Sequence, residues 1–167
     1  LSIPVASNEQ AGNRRDKLQA LIREGVSPFT HRRFLKRESI RTLVQLYDAQ
    51  PNTPMVVSTA GRLSAKRGHG GLAFADLRDA TGKIQICMKR DAVGEAGWSV
   101  FESLDLGDIV GVTGPLFKTK TGEVTVAAQG QESLTLLAKA LQPMPEKWHG
   151  LKDVEVRYRK RYLDLIA

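Results

Sequence analysis

The chain has 167 residues, 41% hydrophobic and 26% charged, with 25 Lys/Arg against 18 Asp/Glu and a net charge of +7. That is long enough for one domain with a real core plus extensions, and no stretch approaches the roughly 18 apolar residues of a membrane span. The opening LSIPVASNEQAGN lacks the basic and apolar regions of a secretory signal, and the single cysteine, Cys87, rules out an internal disulfide and makes a reducing cytoplasm the expected compartment.

From the N-terminus, Arg14 to Glu24 reads as a helix, because Leu18, Leu21 and Ile22 recur at i, i+3 and i+4 and Gly25 stands at a helix stop. Pro28 to Lys36 reads as an extended connector. A second helix is expected over 39–48, with Ile40, Leu43, Val44 and Tyr47 on one face and Ser39 or Glu38 as its cap. Gln50 to Pro54 is a linker by composition.

The apolar period then shortens from about 3.6 to 2. Strand one is expected over 55–66, with Val57, Gly61 and Leu63 inward and Arg62 facing away. Gly68, Gly70 and Gly71 make a flexible turn around His69. Strand two is 71–78 and strand three 83–89, joined by a tight turn at Ala80-Thr81-Gly82. Residues 91–104 read as a helix. Strand four, 108–118, is interrupted by Gly111 and Gly114, which suits a bend or bulge. Thr121-Gly122 turns into strand five, 123–128, which continues at 134–138 after a kink at Gly130. Five strands with a helix between the third and fourth match a five-stranded Greek-key barrel of the OB type, all-β in its core, which presents strands two and three to oligonucleotides. The expected division is a basic helical extension over 1–53, the barrel over 54–142, and a linker with a C-terminal helix over 143–167. That last helix carries a stripe of Val154, Tyr158, Tyr162 and Leu165, with nothing to pack on within its own length. With Leu1 in place of methionine, this reads as a piece of a longer protein.

Charge follows the same division. Residues 1–53 hold nine basic and five acidic side chains (+4), residues 54–142 ten and nine (+1), and residues 143–167 six and four (+2). A basic chain points to an anionic partner, nucleic acid first. A nearly neutral barrel cannot clamp phosphates in bulk, so any nucleic acid it holds is read through its bases.

Alternation sends Ala73, Ala75 and Leu77 inward and Leu72, Phe74, Asp76 and Arg78 outward. In strand three, Ile84, Ile86 and Met88 point in, leaving Gln85 outside with Lys83 and Lys89. Val124 and Val126 point in, which puts Glu123 outside at the hairpin mouth. One outer surface thus gathers an aromatic ring that can stack on a base, an amide that can donate and accept along a base edge, and a carboxylate that accepts from a base N–H. Arg62, Lys66 and Arg67 supply phosphate contacts or guanidinium stacking. A plainer reading stands beside each. The Phe74 ring can be covered by a loop or by the 91–104 helix, Gln85 can be a solvated strand residue, and Glu123 can pair with Lys118 or Lys120. Likewise, the 157–161 run can be a solvated helix face, and Tyr158 and Tyr162 can be contacts to a further domain.

Enzymatic motifs are absent from these residues. His31, His69 and His149 are isolated from metal-ligand spacings. Gly68-His69-Gly70-Gly71 lacks the Lys-Ser/Thr of a phosphate loop, and no Ser or Cys sits in a nucleophile motif.

Four strings, RRDKLQALIREGVSPF (14–29), AGRLSAKRGHGGLAFADLRDATGKIQI (60–86), DLGDIVGVTGPLFKTKTGEVTV (105–126) and LTLLAKALQPMPEKWHGLKDVEVRYRKRYLDLI (134–166), resemble bacterial-type class II lysyl-tRNA synthetases. AGR, FADLRD and KIQ fit the aspartyl and asparaginyl enzymes loosely. TKTGE and the KWHGLKD connector fit the lysyl enzyme better. The resemblance implies an OB domain that binds the anticodon stem-loop of tRNA(Lys) and reads its uridines. The stacking aromatic falls on Phe74, the glutamine and basic residue for the central uridine on Gln85 and Arg67, and the glutamate for the first anticodon base on Glu123. Arg62 and Lys66 join that anticodon set as expectations. Arg14, Arg15, Lys17 and Arg23 resemble the family's tRNA-backbone segment. The resemblance also implies a catalytic domain beyond Ala167 that binds ATP, lysine and Mg²⁺ and forms a homodimer. The chain alone is therefore expected to be inactive and mainly monomeric, with no catalytic residue, metal or cofactor of its own. Two departures are Gly71, where many members carry a larger, often basic residue, and a longer, more polar Ala127-to-Glu132 stretch. The competing functions are a general single-strand-binding OB protein and a protein-interaction OB module.

Overall fold

The computed structural model describes residues 5–30, 34, 38–143, 158, 161 and 162. Helix α1 runs Val5–Arg23 and so begins well before Arg14. Its first half has Ala11 as its buried residue among those described, so the apolar spacing that marks a helix in sequence appears only where Leu18 and Leu21 turn inward. The helix stops where expected. Gly25 adopts φ 82°, its N–H donates to Ile22 O (3.1 Å) and the Val26 N–H to Leu21 O (2.9 Å), a glycine-terminated end that satisfies the last carbonyls.

Helix α2 spans Ile40–Ala49, and Ser39 is its cap, the side chain accepting from the Thr42 N–H at 3.1 Å. Two further N-terminal donors are met from across the fold. Asp79 Oδ2 accepts from the Ile40 N–H and Thr81 Oγ1 from the Arg41 N–H, each at 3.0 Å. Asp79 Oδ1 also closes its own turn, accepting from the N–H groups of Thr81 (2.7 Å) and Gly82 (2.9 Å). Burial pushes the Asp79 carboxyl up, but the hydrogen bonds from Ile40, Thr81 and Gly82 outweigh it and hold the group below its ordinary range. Asp79→Ala is therefore expected to cost about 1–2 kcal/mol, as for other lost helix caps. Because the folded pKa is depressed, that contribution is complete above the ordinary carboxylate pKa of about 3.9 and fades as pH falls through the folded value. Urea midpoints at neutral pH and near pH 3 check both halves. Equal deficits at the two pH values would contradict the titrating cap.

The strands are β1 Val56–His69, β2 Leu72–Arg78, β3 Lys83–Lys89, β4 Ile109–Lys118, β5 Val124–Ala127 and β6 Leu134–Ala138. The order β1-β2-β3-β5-β4 closes on itself through a β1–β4 pairing, making the five-strand ring of an OB-fold. Strand five does continue at 134–138. β5 pairs with Leu116–Lys118 of β4, and β6 pairs in the same antiparallel sense with Ile109–Val112, after a break in which Gly130 takes φ 87°. Two expectations are corrected. β1 extends through Gly68 to His69, leaving a two-residue turn with Gly70 at φ 59°. β4 runs unbroken through Gly111 and Gly114, and its register shift falls at Ile109/Val110. These glycines allow close approach: a Cβ on Gly114 would overlap the Ala127 carbonyl oxygen, and one on Gly111 would strike the Phe34 ring. β1 carries a register shift of its own between Leu63 and Ala65.

Helix α3, Arg90–Ser103, fills the expected place between β3 and β4, with a break in helical geometry at Gly94 (φ 70°, ψ 172°). Inward residues of the strands form one continuous core with Trp98 and Phe101 of α3, Leu21 of α1, and Ile40, Leu43 and Tyr47 of α2. The N-terminal helices thus share the barrel's core. The connector over Pro28–Lys36 lies partly outside the described residues. So does the C-terminal helix, of which Tyr158, Arg161 and Tyr162 are described as helical, with both tyrosines exposed.

Candidate nucleic-acid interface

Register decides which outer side chains meet. Phe74 in β2 faces Arg67 in β1 on one side and Cys87 in β3 on the other. One step along, Gln85 faces Asp76 in β2 and Thr125 in β5. A polar ladder therefore crosses the strands. Arg67 forks onto Asp76, with Nη1 and Nη2 at 3.3 and 3.2 Å from the two carboxylate oxygens. Lys83 approaches the same carboxylate at 3.6 Å and Glu123 at 3.8 Å, and Arg67 lies 4.0 Å from Glu123. Gln85 donates from Nε2 to Glu123 Oε2 at 2.6 Å and accepts from Thr125 Oγ1 at 3.0 Å.

Gln85 does lie on the outer side of the sheet, but it is not solvated: it is only 5% exposed, because the β5 hairpin covers it. Its amide is pinned at both ends, carbonyl to Thr125 and NH₂ to Glu123, which fixes its orientation and leaves one N–H and one carbonyl lone pair outside these two bonds. Glu123 pairs across to Gln85, not along its own hairpin to Lys118 or Lys120. Phe74 is half-buried. Cys87, its β3 neighbour, lines an open groove of about 290 Å³ together with Lys89, Pro115, Phe117, Ala127 and Gln129. Burial pushes the Cys87 thiol up, in keeping with packing and not reactivity.

Phe74, Gln85, Arg67 and Glu123 are brought together. Arg62 and Lys66, expected beside them, are not. Arg62 Nη1 donates to Gly107 O at 2.8 Å. Lys66 Nζ donates to the carbonyls of Phe101, Glu102 and Leu104 at 2.7, 2.9 and 3.2 Å, capping the end of α3 with its ammonium over the Phe101 ring. Burial chiefly, then the neighbouring Lys17 charge, lowers the Lys66 pKa. The basic residues of α1 divide as well. Arg14 Nη1 donates to Leu106 O, Ala140 O and Gln142 O at 3.0, 2.9 and 3.2 Å, and Lys17 pairs with Asp105 at 2.6 Å. Arg15 and Arg23 are exposed, and their side chains make no hydrogen bond or ion pair among the described residues.

Asp76, Lys83 and Thr125 also belong to the ladder, beyond the residues that the sequence marks as a site. Asp76 is legible, since alternation already sets a charge on Phe74's face. Thr125 is not, because its neighbour Gln85 depends on the parallel β3–β5 pairing.

The closed ring of five strands defines an OB-fold domain with a polar outer face. Residues 57–134 match the tRNA anti-codon family, described as an OB-fold nucleic acid binding domain. Across the whole chain the similarity is to lysine–tRNA ligases: 45% identity to that of Halalkalibacterium halodurans over 100% of this chain and 34% of the relative, 48% to that of Enterococcus faecalis over 96% and 32%, and 46% to that of Pelotomaculum thermopropionicum over 96% and 30%. The chain is thus homologous to the N-terminal part of lysine–tRNA ligases and spans about a third of their length. Among the described residues, no group of three or more His, Cys, Asp or Glu could hold a metal ion, and no helix is long and apolar enough to cross a membrane.

Proposed function

We propose that this chain is the anticodon-binding region of a lysine–tRNA ligase, in which residues 54–142 read the uridines of the lysine anticodon. The observation that carries the reading is the convergence of Phe74, Arg67, Gln85 and Glu123 on one face, with the Gln85 amide held by Thr125 and Glu123. The Phe74 ring stacks a base, the pinned amide and Arg67 meet the central uridine, and Glu123 accepts from the first anticodon base. Asp76 and Lys83 hold Arg67 and Glu123 in place. Arg15 and Arg23, in the helical extension over 1–53, contact phosphates without regard to sequence. Arg14, Lys17, Arg62 and Lys66 hold the frame instead. Residues 143–167 lead to the part of the ligase that uses ATP and Mg²⁺ to join lysine to tRNA(Lys) and makes the homodimer, in the cytoplasm. The 167 residues alone activate no lysine and stay mainly monomeric.

The test is a titration with a lysine-anticodon stem-loop and with the same stem-loop carrying swapped anticodon bases, across a salt series. A strong preference for the uridines supports the reading. Equal affinity for both identifies a general single-strand binder, and no salt-dependent binding at all identifies a protein-interaction module. Glu123→Ala sharpens the test because its two effects differ in sign. Removing a negative charge from the face should raise affinity for an unrelated stem-loop, while losing the carboxylate acceptor should lower the preference for the cognate first base. A parallel rise for both RNAs would show that Glu123 only repels phosphate.

A further inference from the structure

Away from the base-facing ladder, a second set of charges lies where α1, the α3–β4 loop and the exit from β6 meet. The Lys139 side chain is fully buried. Its Nζ donates to Asp105 Oδ2 (2.6 Å), Asp108 Oδ2 (2.7 Å) and Ser103 O (2.9 Å), which uses all three ammonium hydrogens. The Asp108 carboxylate is also fully buried, and it accepts from the Asp105 N–H and the Ala140 N–H, each at 2.8 Å. The other oxygen of Asp105 takes Lys17 of α1 at 2.6 Å. One turn earlier on α1, the Arg14 guanidinium gathers carbonyls from the loop (Leu106) and from the exit segment (Ala140 and Gln142). The two lysines and two aspartates balance in charge, and the Arg14 guanidinium, which leaves the five groups at +1, is taken up by three backbone carbonyls. What the set does is join three pieces of chain distant in sequence.

We propose that Lys17, Asp105, Lys139, Asp108 and Arg14 form a positioning joint, which holds α1 in one frame with the base-facing surface and fixes the path of residues 139–142 as they leave the barrel. The proposal rests on the reading of α1 as an RNA-contacting helix and assigns Arg14 and Lys17 a different task from Arg15 and Arg23. The helix buries Ala11, Leu18 and Leu21 among its described residues, which fixes the face that turns inward. The joint adds directional bonds from the middle of α1, at Arg14 and Lys17. Arg15 and Arg23, on the exposed side, thereby stand at a set distance from Phe74 and Gln85. An RNA whose bases occupy the ladder meets these cations without first ordering the helix.

Asp105→Ala tests this through an effect whose sign simple electrostatics cannot produce. Losing an acidic residue makes the chain more basic, which alone strengthens RNA binding. Loss of the joint weakens it. Glu95→Ala changes the net charge equally at an exposed site and is the control. With the lysine-anticodon stem-loop as probe, Asp105→Ala is expected to bind several-fold more weakly than Glu95→Ala, with a salt slope lower by about 0.7 for each phosphate that α1 no longer neutralises. Hydrogen exchange in α1 and at 139–142 should rise while β2 and β3 stay protected. Unchanged exchange in α1, or affinity equal to that of Glu95→Ala, overturns the proposal. Should Asp105→Ala lose the barrel as well, Lys17→Met cuts only the α1 end of the set and is expected to raise α1 exchange alone. Arg15→Ala with Arg23→Ala, in a chain whose joint is intact, tests the underlying reading separately: an unchanged salt slope there refutes α1 as an RNA-binding element, whereas α1 exchange still reports on the joint.

Discussion

Lys139→Ala is expected to lower the unfolding free energy of the chain by about 3–5 kcal/mol, the range for removing one partner of a buried ion pair. The loss comes less from the attraction removed than from what is left behind. Asp108 has no exposed side-chain surface, and without Lys139 its charge keeps only two backbone N–H donors. Asp105 retains Lys17 and is partly exposed, so it suffers less. Burial pushes the Asp105 carboxyl up, and the hydrogen bonds and charges of Lys139 and Lys17 overcome this and hold it below its usual range. Its stabilising contribution is therefore present above the ordinary pKa of about 3.9 and is lost as pH falls through the folded value. Against a typical domain stability of about 5–15 kcal/mol, the Lys139 substitution removes a large share and, at the lower end, leaves a barely folded chain. Denaturant titration of Lys139→Ala beside Asp105→Ala measures the difference. A loss under about 1 kcal/mol for Lys139→Ala, well below the range for a broken buried pair, would mean that water readily replaces the ammonium.

Phe74→Ala is expected to weaken binding of the lysine-anticodon stem-loop by about 1–3 kcal/mol, roughly 5- to 150-fold, with a smaller loss of stability than the roughly 3–5 kcal/mol of a fully buried aromatic. The ring is half-buried between Arg67 and Cys87, so it is supported from the sheet and leaves surface for a base. Gln85→Ala should act on discrimination more than on affinity, because the amide meets a base edge and not the backbone. It also leaves Glu123 and Thr125 without their shared partner, so some stability is lost with it. Thermal melts run beside the binding titrations separate the two roles. Near-normal melting with lost anticodon preference supports a base-reading face. A large fall in melting temperature after Phe74→Ala, or unchanged discrimination after both substitutions, refutes it.

Much of this is legible along the chain. The change of apolar period, the Gly25 stop, the Ser39 cap and the turns at Thr81-Gly82 and Thr121-Gly122 are local events, encoded within a few residues by propensity and hydrogen bonding. Alternation places Phe74, Gln85 and Glu123 on one side of the sheet because side-chain direction in a strand follows from position parity alone. The resemblance to lysyl-tRNA synthetases lies in the same residues.

What alternation cannot supply is register between strands far apart in sequence. Whether Glu123 pairs within its hairpin or with Gln85 is settled by the parallel β3–β5 pairing, and whether Gln85 is wet or covered follows from it. The basic residues show the same limit. Arg14, Arg15, Lys17 and Arg23 are equivalent as charges in sequence, and Arg62, Lys66 and Arg67 lie close together on one strand. Long flexible cations take their partners from whatever carbonyls and carboxylates the fold brings within reach. For Arg14, Lys17, Arg62 and Lys66 those are the α3–β4 loop, the end of α3 and the β6 exit, segments up to 128 residues away in the chain. Sequence determined that this is a basic chain built on a nearly neutral OB barrel, and which faces its strands present. The tertiary structure decided which of these cations are consumed in holding the frame and which stay exposed, because that choice depends on distances between segments the chain does not place side by side.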